Sequence, residues 1–208
     1  MNEQHIASAF DRDLEALQAN IMRMGGLVET SILEAARALA ERDVELAERV
    51  RAADGAIDTL EERINEEAAR IIAMRQPAAG DLRVVLTVMK VAGNLERIGD
   101  YAKNIAKRVT VLAEHSPING SDQSLKRMAR EVEGMLKDVL DAFVRRDDAL
   151  ATDVRDRDES VDQMYNALFR EFLTHMMEDP RNITACMHLH FIAKNIERMG
   201  DHTTNIAE

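Results

Sequence analysis

Apolar residues along this chain recur at alternating steps of three and four positions, the spacing that places them on one face of an α-helix. The first tract shows the pattern from Phe10 to Leu39. Prolines occur only at Pro77, Pro117 and Pro180, where they and short polar turns interrupt the pattern. The sequence therefore predicts an all-α protein of six long helices.

The predicted helix ends follow from these interruptions. The first helix is expected to end near Ala40, and the third to open near Asp81, which we interpret as its N-cap. The longest turn-rich segment, rich in Gly, Pro, Ser and Asn, falls near the middle of the chain. The predicted breaks between helices are Glu41–Asp43, Gln76–Gly80, His115–Asp122, Arg145–Asp148 and Glu178–Asn182.

The two halves of the chain repeat each other. Aligning residues 92–107 with residues 193–208 without a gap gives nine identities in sixteen positions, with the shared pattern N-x-E-R-x-G-D-x-x-x-N-I-A. An internal duplication sets the architecture before any finer assignment. We expect two tandem, sequence-related three-helix bundles, residues 1–115 and 121–208. The last helix looks short beside the third.

The composition narrows the possible functions. Charged residues make up 31% of the chain and aromatic residues 3%, a profile that suits long helices. The formal net charge of -11 argues against nucleic acid as a partner. Cys186 is the only cysteine, which excludes an intrachain disulfide and a cysteine-based metal motif. The sequence contains no signal-peptide or membrane-spanning run, so we expect a cytoplasmic protein without direct membrane insertion.

Each copy of the repeated motif carries two carboxylates four residues apart, Glu96 with Asp100 and Glu197 with Asp201. Such residues share a helix face, and like charges there destabilise it by a few tenths of a kcal/mol. Two explanations remain open. Bound cations hold the pairs together, or the pairs are a solvated acidic face. In the second case the partners would be Arg97, Arg198 or Lys103.

The second helix of each half carries a matching acidic pair, Asp54 with Asp58 and Asp158 with Asp162. By helical geometry these residues lie at the rim of the apolar stripe. If the second and third helices pack through their stripes, four carboxylates would line an outer groove in each half. A cysteine-free oxygen donor set suits Mg, Mn, Fe or Zn.

The two candidate sites differ in their surroundings. Glu61 in the first half aligns with Tyr165 in the second, and Asn65 aligns with Phe169. We therefore expect the second site to be poorer in ligands. Gly99 and Gly200 lie inside predicted helices, where glycine costs about 1 kcal/mol relative to alanine, so they indicate close packing or ligand access.

The chain resembles the PhoU family of phosphate-transport accessory and phosphate-signalling proteins along essentially its whole length. The resemblance is carried by four motifs. They are N-L-E-R-I-G-D-Y at 94–101, I-E-R-M-G-D-H-T-T-N-I-A at 196–207, R-Q-P-A-A-G-D-L-R at 75–83 and H-I-x-x-A-F-D-x-x-L from His5. It implies two tandem three-helix bundles and frequent homodimers.

The same resemblance implies a function. Proteins of this family regulate phosphate uptake and repress the phosphate-starvation response when phosphate is abundant. Their partners are the ATPase subunit of the high-affinity phosphate transporter and a sensor histidine kinase. They also bind multinuclear iron or zinc clusters through acidic motifs, which here correspond to Glu96, Asp100, Glu197 and Asp201. On the second helix of each half, the residues that correspond to further metal ligands of the family are Asp54, Asp58, Asp158 and Asp162.

Our leading hypothesis is a non-enzymatic, metal-binding signalling adaptor. One alternative is a di-iron carboxylate oxidase, which needs inward-facing Glu and Glu-x-x-His motifs in a helical bundle. The sequence contains no Glu-x-x-His. The other alternative is a helical interaction module that binds no metal.

Overall fold

The computed structural model describes the backbone from Asn2 to Glu208 and the side chains from Phe10 onward. His5 and Ile6 of the opening motif therefore lie outside the described side chains. The described residues form six α-helices, with one 3-10 turn before the last. The helices are α1 (Asn2–Glu41), α2 (Val44–Arg75), α3 (Ala79–Leu112), α4 (Ser121–Arg145), α5 (Asp148–Glu178) and α6 (Ile183–Ala207).

The helix boundaries fall at the predicted breaks, with one correction. Helix α3 begins at Ala79, and its N-cap is Ala78, which has no side chain able to accept a hydrogen bond from the helix. The prediction of Asp81 as the cap is therefore wrong. Asp81 lies in the first turn, where its carboxylate is favourable beside the positive end of the helix dipole. Asp43 and Asp147 cap α2 and α5 as acceptors from backbone N–H groups.

Helices α3 and α6 lie side by side in the middle of the molecule. Helix α2 packs against α3 and α5 packs against α6, while α1 and α4 cover the two pairs and contact each other. Asn94 of α3 bonds to His202 of α6, and Arg108 contacts His188. Residue numbers rise along α3 as they fall along α6, so these central helices are antiparallel.

The apolar stripes of all six helices meet in one continuous core. The predicted stripe of α1 is buried from Leu17 to Leu39. The third helix of each repeat contributes to this core, with Leu95 and Ile98 in α3 and Ile196 and Met199 in α6 almost inaccessible to solvent. The all-α fold of two related helical units is thus confirmed, and the two units share their interior.

Candidate functional site

In the first repeat, the packing of α2 on α3 brings Asp54, Asp58, Glu96 and Asp100 into one group, the first acidic cluster. Gly99 makes this close approach possible, because a Cβ there would lie 3.0 Å from Ile57 Cδ1 and 3.6 Å from Asp54 Oδ1. The close-packing explanation for this glycine is therefore confirmed.

Cations from the protein itself neutralise part of the first acidic cluster. The Lys103 ammonium donates a hydrogen bond to Asp54, whose side chain is 5% exposed, and lies 3.6 Å from Asp100. Arg97 lies 3.4 Å from Glu96 and 3.7 Å from Asp100. These contacts support the explanation of the acidic pairs as ion-paired groups, at least in this repeat.

The compensation of charge is incomplete. Partial burial raises the pKa of Asp58, and the neighbouring Asp54 raises it further. Burial also raises the pKa of Glu96, with Asp100 as the next cause and smaller contributions from Asp58 and Glu61. These carboxylates repel one another, which contributes to their raised pKa values. Additional positive charge nearby would therefore stabilise their ionised forms.

The second repeat builds an equivalent group, the second acidic cluster, from Asp158, Asp162, Glu197 and Asp201. Burial raises the pKa of Asp158, and the charges of Asp201 and Asp162 raise it further. A hydrogen bond from the Thr204 hydroxyl lowers this pKa in part, and Glu197 makes a smaller raising contribution. Gly200 lies against Asp158, since a Cβ there would lie 3.1 Å from Asp158 Oδ1. The sequence alignment thus located the same four-carboxylate arrangement twice.

The second acidic cluster has different cations around it. Thr204 occupies the position of Lys103, so Asp158 has no equivalent ammonium partner. Lys194 pairs with Glu197, but Glu197 Oε2 is buried without a hydrogen-bond partner. Arg198 is equivalent to Arg97, yet among residues 10–208 it forms no ion pair within 4.0 Å.

Both clusters offer the oxygen donors that hard and borderline divalent cations prefer. The buried, unpartnered Glu197 Oε2 and the raised pKa values fit a group that would accept such an ion. Within the described part of the chain, no three His, Cys, Asp or Glu side chains already converge as a metal site. Binding a metal would therefore require side-chain rotation, and at the first cluster it would also require Lys103 to move.

The interior of the bundles offers little to a di-iron oxidase. Of the buried residues from position 10 onward, only Ser31, Asp54, Ser121 and Thr203 are polar or charged. Of the eight candidate carboxylates only Asp54 is buried, so the predicted place in an outer groove is wrong for Asp54. The other seven are partly or fully exposed, whereas di-iron oxidases hold their carboxylates within the bundle. The geometry therefore gives this alternative no support.

His202 of α6 contacts α3 and so joins the two repeats. Its Nδ1 lies 2.9 Å from the Asn94 side-chain oxygen, and its ring centroid lies 5.7 Å from that of Tyr101. Burial lowers the pKa of His202. A neutral ring that donates to Asn94 serves as a contact between α3 and α6.

A third group lies toward the other end of α6. The sequence indicated only Tyr165 and Phe169 of it, as positions where the second candidate site has lost possible ligands. Arg108 of α3 stacks on Phe191, and Lys194 lies over the ring of Tyr165. No motif marks these residues, because they are not shared between the repeats. The signal available in the sequence was a difference between the repeats, because Tyr165 and Phe169 replace the polar residues Glu61 and Asn65 of the first repeat.

A model of the PhoU domain matches residues 21–109 and again residues 125–208. A phosphate-specific transport system accessory protein PhoU homolog from Caulobacter vibrioides is 49% identical over 205 residues, which cover 99% of this chain and 89% of the relative. The homolog from Rhizobium meliloti is 47% identical and covers 100% of this chain and 88% of its own length.

Solved structures agree. The crystal structure of PhoU from Pseudomonas aeruginosa superposes with a TM-score of 0.92 at 40% identity and covers 95% of each chain. The phosphate transport system regulatory protein PhoU from Streptococcus pneumoniae gives 0.88 at 33% identity and covers 96% of this chain and 93% of that one. Family model, relatives and structures together show that this chain belongs to the PhoU family.

Proposed function

We propose that this protein is an accessory regulator of phosphate uptake that represses the phosphate-starvation response when phosphate is abundant. The observation that carries the proposal is the 49% identity to a phosphate-specific transport accessory protein along 99% of the chain. The matched region covers 99% of the chain and so spans both repeats.

The protein would act by docking, as an adaptor between the transporter's ATPase subunit and a sensor histidine kinase. The accessory and regulatory names of the relatives agree with a non-enzymatic role. We place the protein in the cytoplasm, where both partners expose their soluble domains, and expect a homodimer. Among the residues that the structure describes, no helix combines the length and apolar character needed to cross a bilayer.

Metal binding belongs to the proposal as a structural element. Asp54, Asp58, Glu96 and Asp100 would hold ions at the first cluster. Asp158, Asp162, Glu197 and Asp201 would do so at the second. Iron or zinc is proposed on family resemblance, and magnesium or manganese also suits these ligands. A bound ion would supply positive charge that relieves the mutual repulsion of the carboxylates.

A genetic experiment tests the regulatory role. Deleting the gene should derepress a phosphate-repressed reporter in phosphate-rich medium, and the wild-type gene should restore repression. Purified protein should also retain the transporter ATPase and the sensor kinase in pull-downs. A reporter that stays repressed in the deletion strain would remove the regulatory proposal.

Metal analysis separates the proposal from its closest alternative, a helical interaction module without metal, which the ion pairs of Lys103 and Arg97 favour. Protein purified without chelators should contain iron or zinc by mass spectrometry. The paired variants Glu96→Gln/Asp100→Asn and Glu197→Gln/Asp201→Asn should each lose part of it. Metal-free wild-type protein that still restores repression would favour the alternative.

A further inference from the structure

A group of rings stands at the surface of the second repeat, formed by Tyr165 and Phe169 of α5 with His190 and Phe191 of α6. We name it the aromatic face. Phe169 is 40% exposed and Phe191 is 45% exposed, although buried phenylalanines are the norm. Exposed apolar side chains continue from it along both helices: Leu173, Met177, Ile183 and Met187.

The aromatic face is continuous across the two helices. The His190 ring centroid lies 5.8 Å from that of Tyr165, 5.2 Å from that of Phe169 and 5.9 Å from that of Phe191. Burial lowers the pKa of His190, with Lys194 as the second cause. A neutral imidazole between the rings extends the apolar surface, so the rings form one patch.

The fold does not require this patch, as the first repeat demonstrates. The same helical arrangement there has Glu61 and Asn65 at the positions of Tyr165 and Phe169, and Lys90 at the position of Phe191. The chain has only five phenylalanines and two tyrosines, and three of these seven lie in the aromatic face. Their exposure must therefore have another reason.

Arg108 lies beside the aromatic face, and its surroundings indicate that the binding partner carries negative charge. Arg108 places its guanidinium 4.4 Å from the centroid of Phe191 and contacts His188 Nδ1 at 3.2 Å. Its Nε is buried without a hydrogen-bond partner, and burial lowers its pKa. From Phe10 onward no carboxylate lies within 4.0 Å of it, in a chain whose net charge is -11.

Arginine and aromatic residues are enriched at protein interfaces, where they supply most of the binding energy. A half-buried guanidinium without a carboxylate is satisfied best by an acidic group from outside. We propose that the aromatic face binds an apolar segment of the phosphate transporter that presents a carboxylate to Arg108. This inference rests on the proposed function and adds the surface that would carry the contact.

Binding of this protein to the purified phosphate transporter of the same bacterium, held in nanodiscs, tests the proposal by biolayer interferometry. Phe169→Asn/Phe191→Gln should raise Kd at least about tenfold. Arg108→Glu should weaken binding more than Arg108→Gln does, because it repels the carboxylate. Leu86→Gln is the matched control, because Leu86 is also an exposed apolar residue, with 50% exposure. It lies near the N-terminal end of α3, far along the helix from Arg108.

Photocrosslinking provides a second test that does not depend on a loss of affinity. Benzoylphenylalanine in place of Phe191 should crosslink to a transporter subunit on illumination, and the same group at Leu86 should not. Two results would overturn the docking assignment alone. In the first, the wild-type protein binds the transporter and Phe169→Asn/Phe191→Gln binds it with the same Kd. In the second, the probe at position 191 crosslinks to a second copy of this chain. No binding of the wild-type protein would remove both the assignment and the proposed partner.

Discussion

Replacing Lys103 with methionine tests how the first acidic cluster is held together. The substitution keeps most of the side-chain volume and removes the ammonium that bonds to Asp54. Asp54 would then be a carboxylate with 5% exposure and no cation in contact. Because the hydrogen bond to Asp54 raises the pKa of Lys103, the wild-type lysine stays charged throughout the neutral range.

The expected magnitude follows from burial. Removing one partner of a fully buried ion pair costs about 3–5 kcal/mol, since the remaining charge is left uncompensated. The Lys103 side chain is 30% exposed, so we expect the low end, about 3 kcal/mol. For a protein of this size each kcal/mol lowers Tm by about 2–4 °C, which gives a decrease of about 6–12 °C.

Calorimetry of metal-free protein at pH 7.5 measures this change. Lys103→Met/Asp54→Asn is the control, because removing the carboxylate as well should restore most of the lost stability. Manganese should raise Tm more in Lys103→Met than in wild type, since the ion would replace the ammonium. Equal Tm values for wild type and Lys103→Met would refute the view that this pair stabilises the cluster.

Three further predictions concern packing and pH. Gly26→Ala should stabilise α1 by up to about 1 kcal/mol by urea denaturation, because a Cβ there meets nothing within 4 Å, whereas Gly200→Ala should lose that gain against Asp158. Phe172→Ala should cost about 3–5 kcal/mol in the same assay, since Phe172 is fully buried, whereas Phe169→Ala should cost less than about 1 kcal/mol. His190 has a lowered pKa in the folded protein, so below about pH 6.5 the unfolded chain binds a proton that the folded protein does not. Stability should therefore fall as pH drops from 7.5 to 5.5, and His190→Asn should reduce that fall. Equal effects within any of these pairs would contradict the corresponding contact.

The sequence predicted the helices because each apolar stripe also had a clear end. Leu17 to Leu39 lie on the predicted stripe, and Pro77 and Pro180 mark real breaks. The start of α3 was mistaken because helix caps depend on backbone angles that a preference for Asp does not fix. Ala78 has the extended conformation of a cap without any capping side chain.

The part of the candidate site that is repeated in both halves of the chain could be predicted from the sequence. The alignment of Asp54 with Asp158 identified both acidic clusters before any contact was known. The sequence also named Lys103 as a candidate partner of the acidic pairs and placed Thr204 opposite it. It did not reveal that the Lys103 ammonium bonds to Asp54 on the neighbouring helix. The contacts of Arg108 with Phe191 and His188 depend on how α3 crosses α6, which no local spacing encodes.

The common interior of the two repeats has a practical consequence for dividing the molecule. Residues 113–120 are the single link between α3 and α4, whereas α1 against α4 and α3 against α6 provide the contacts across the division. Cutting that link should leave two fragments that recombine into the native protein. Neither fragment alone would cover the exposed flanks of α3 or α6, so this scaffold offers a split pair whose reassembly reports that both fragments are present in one cell.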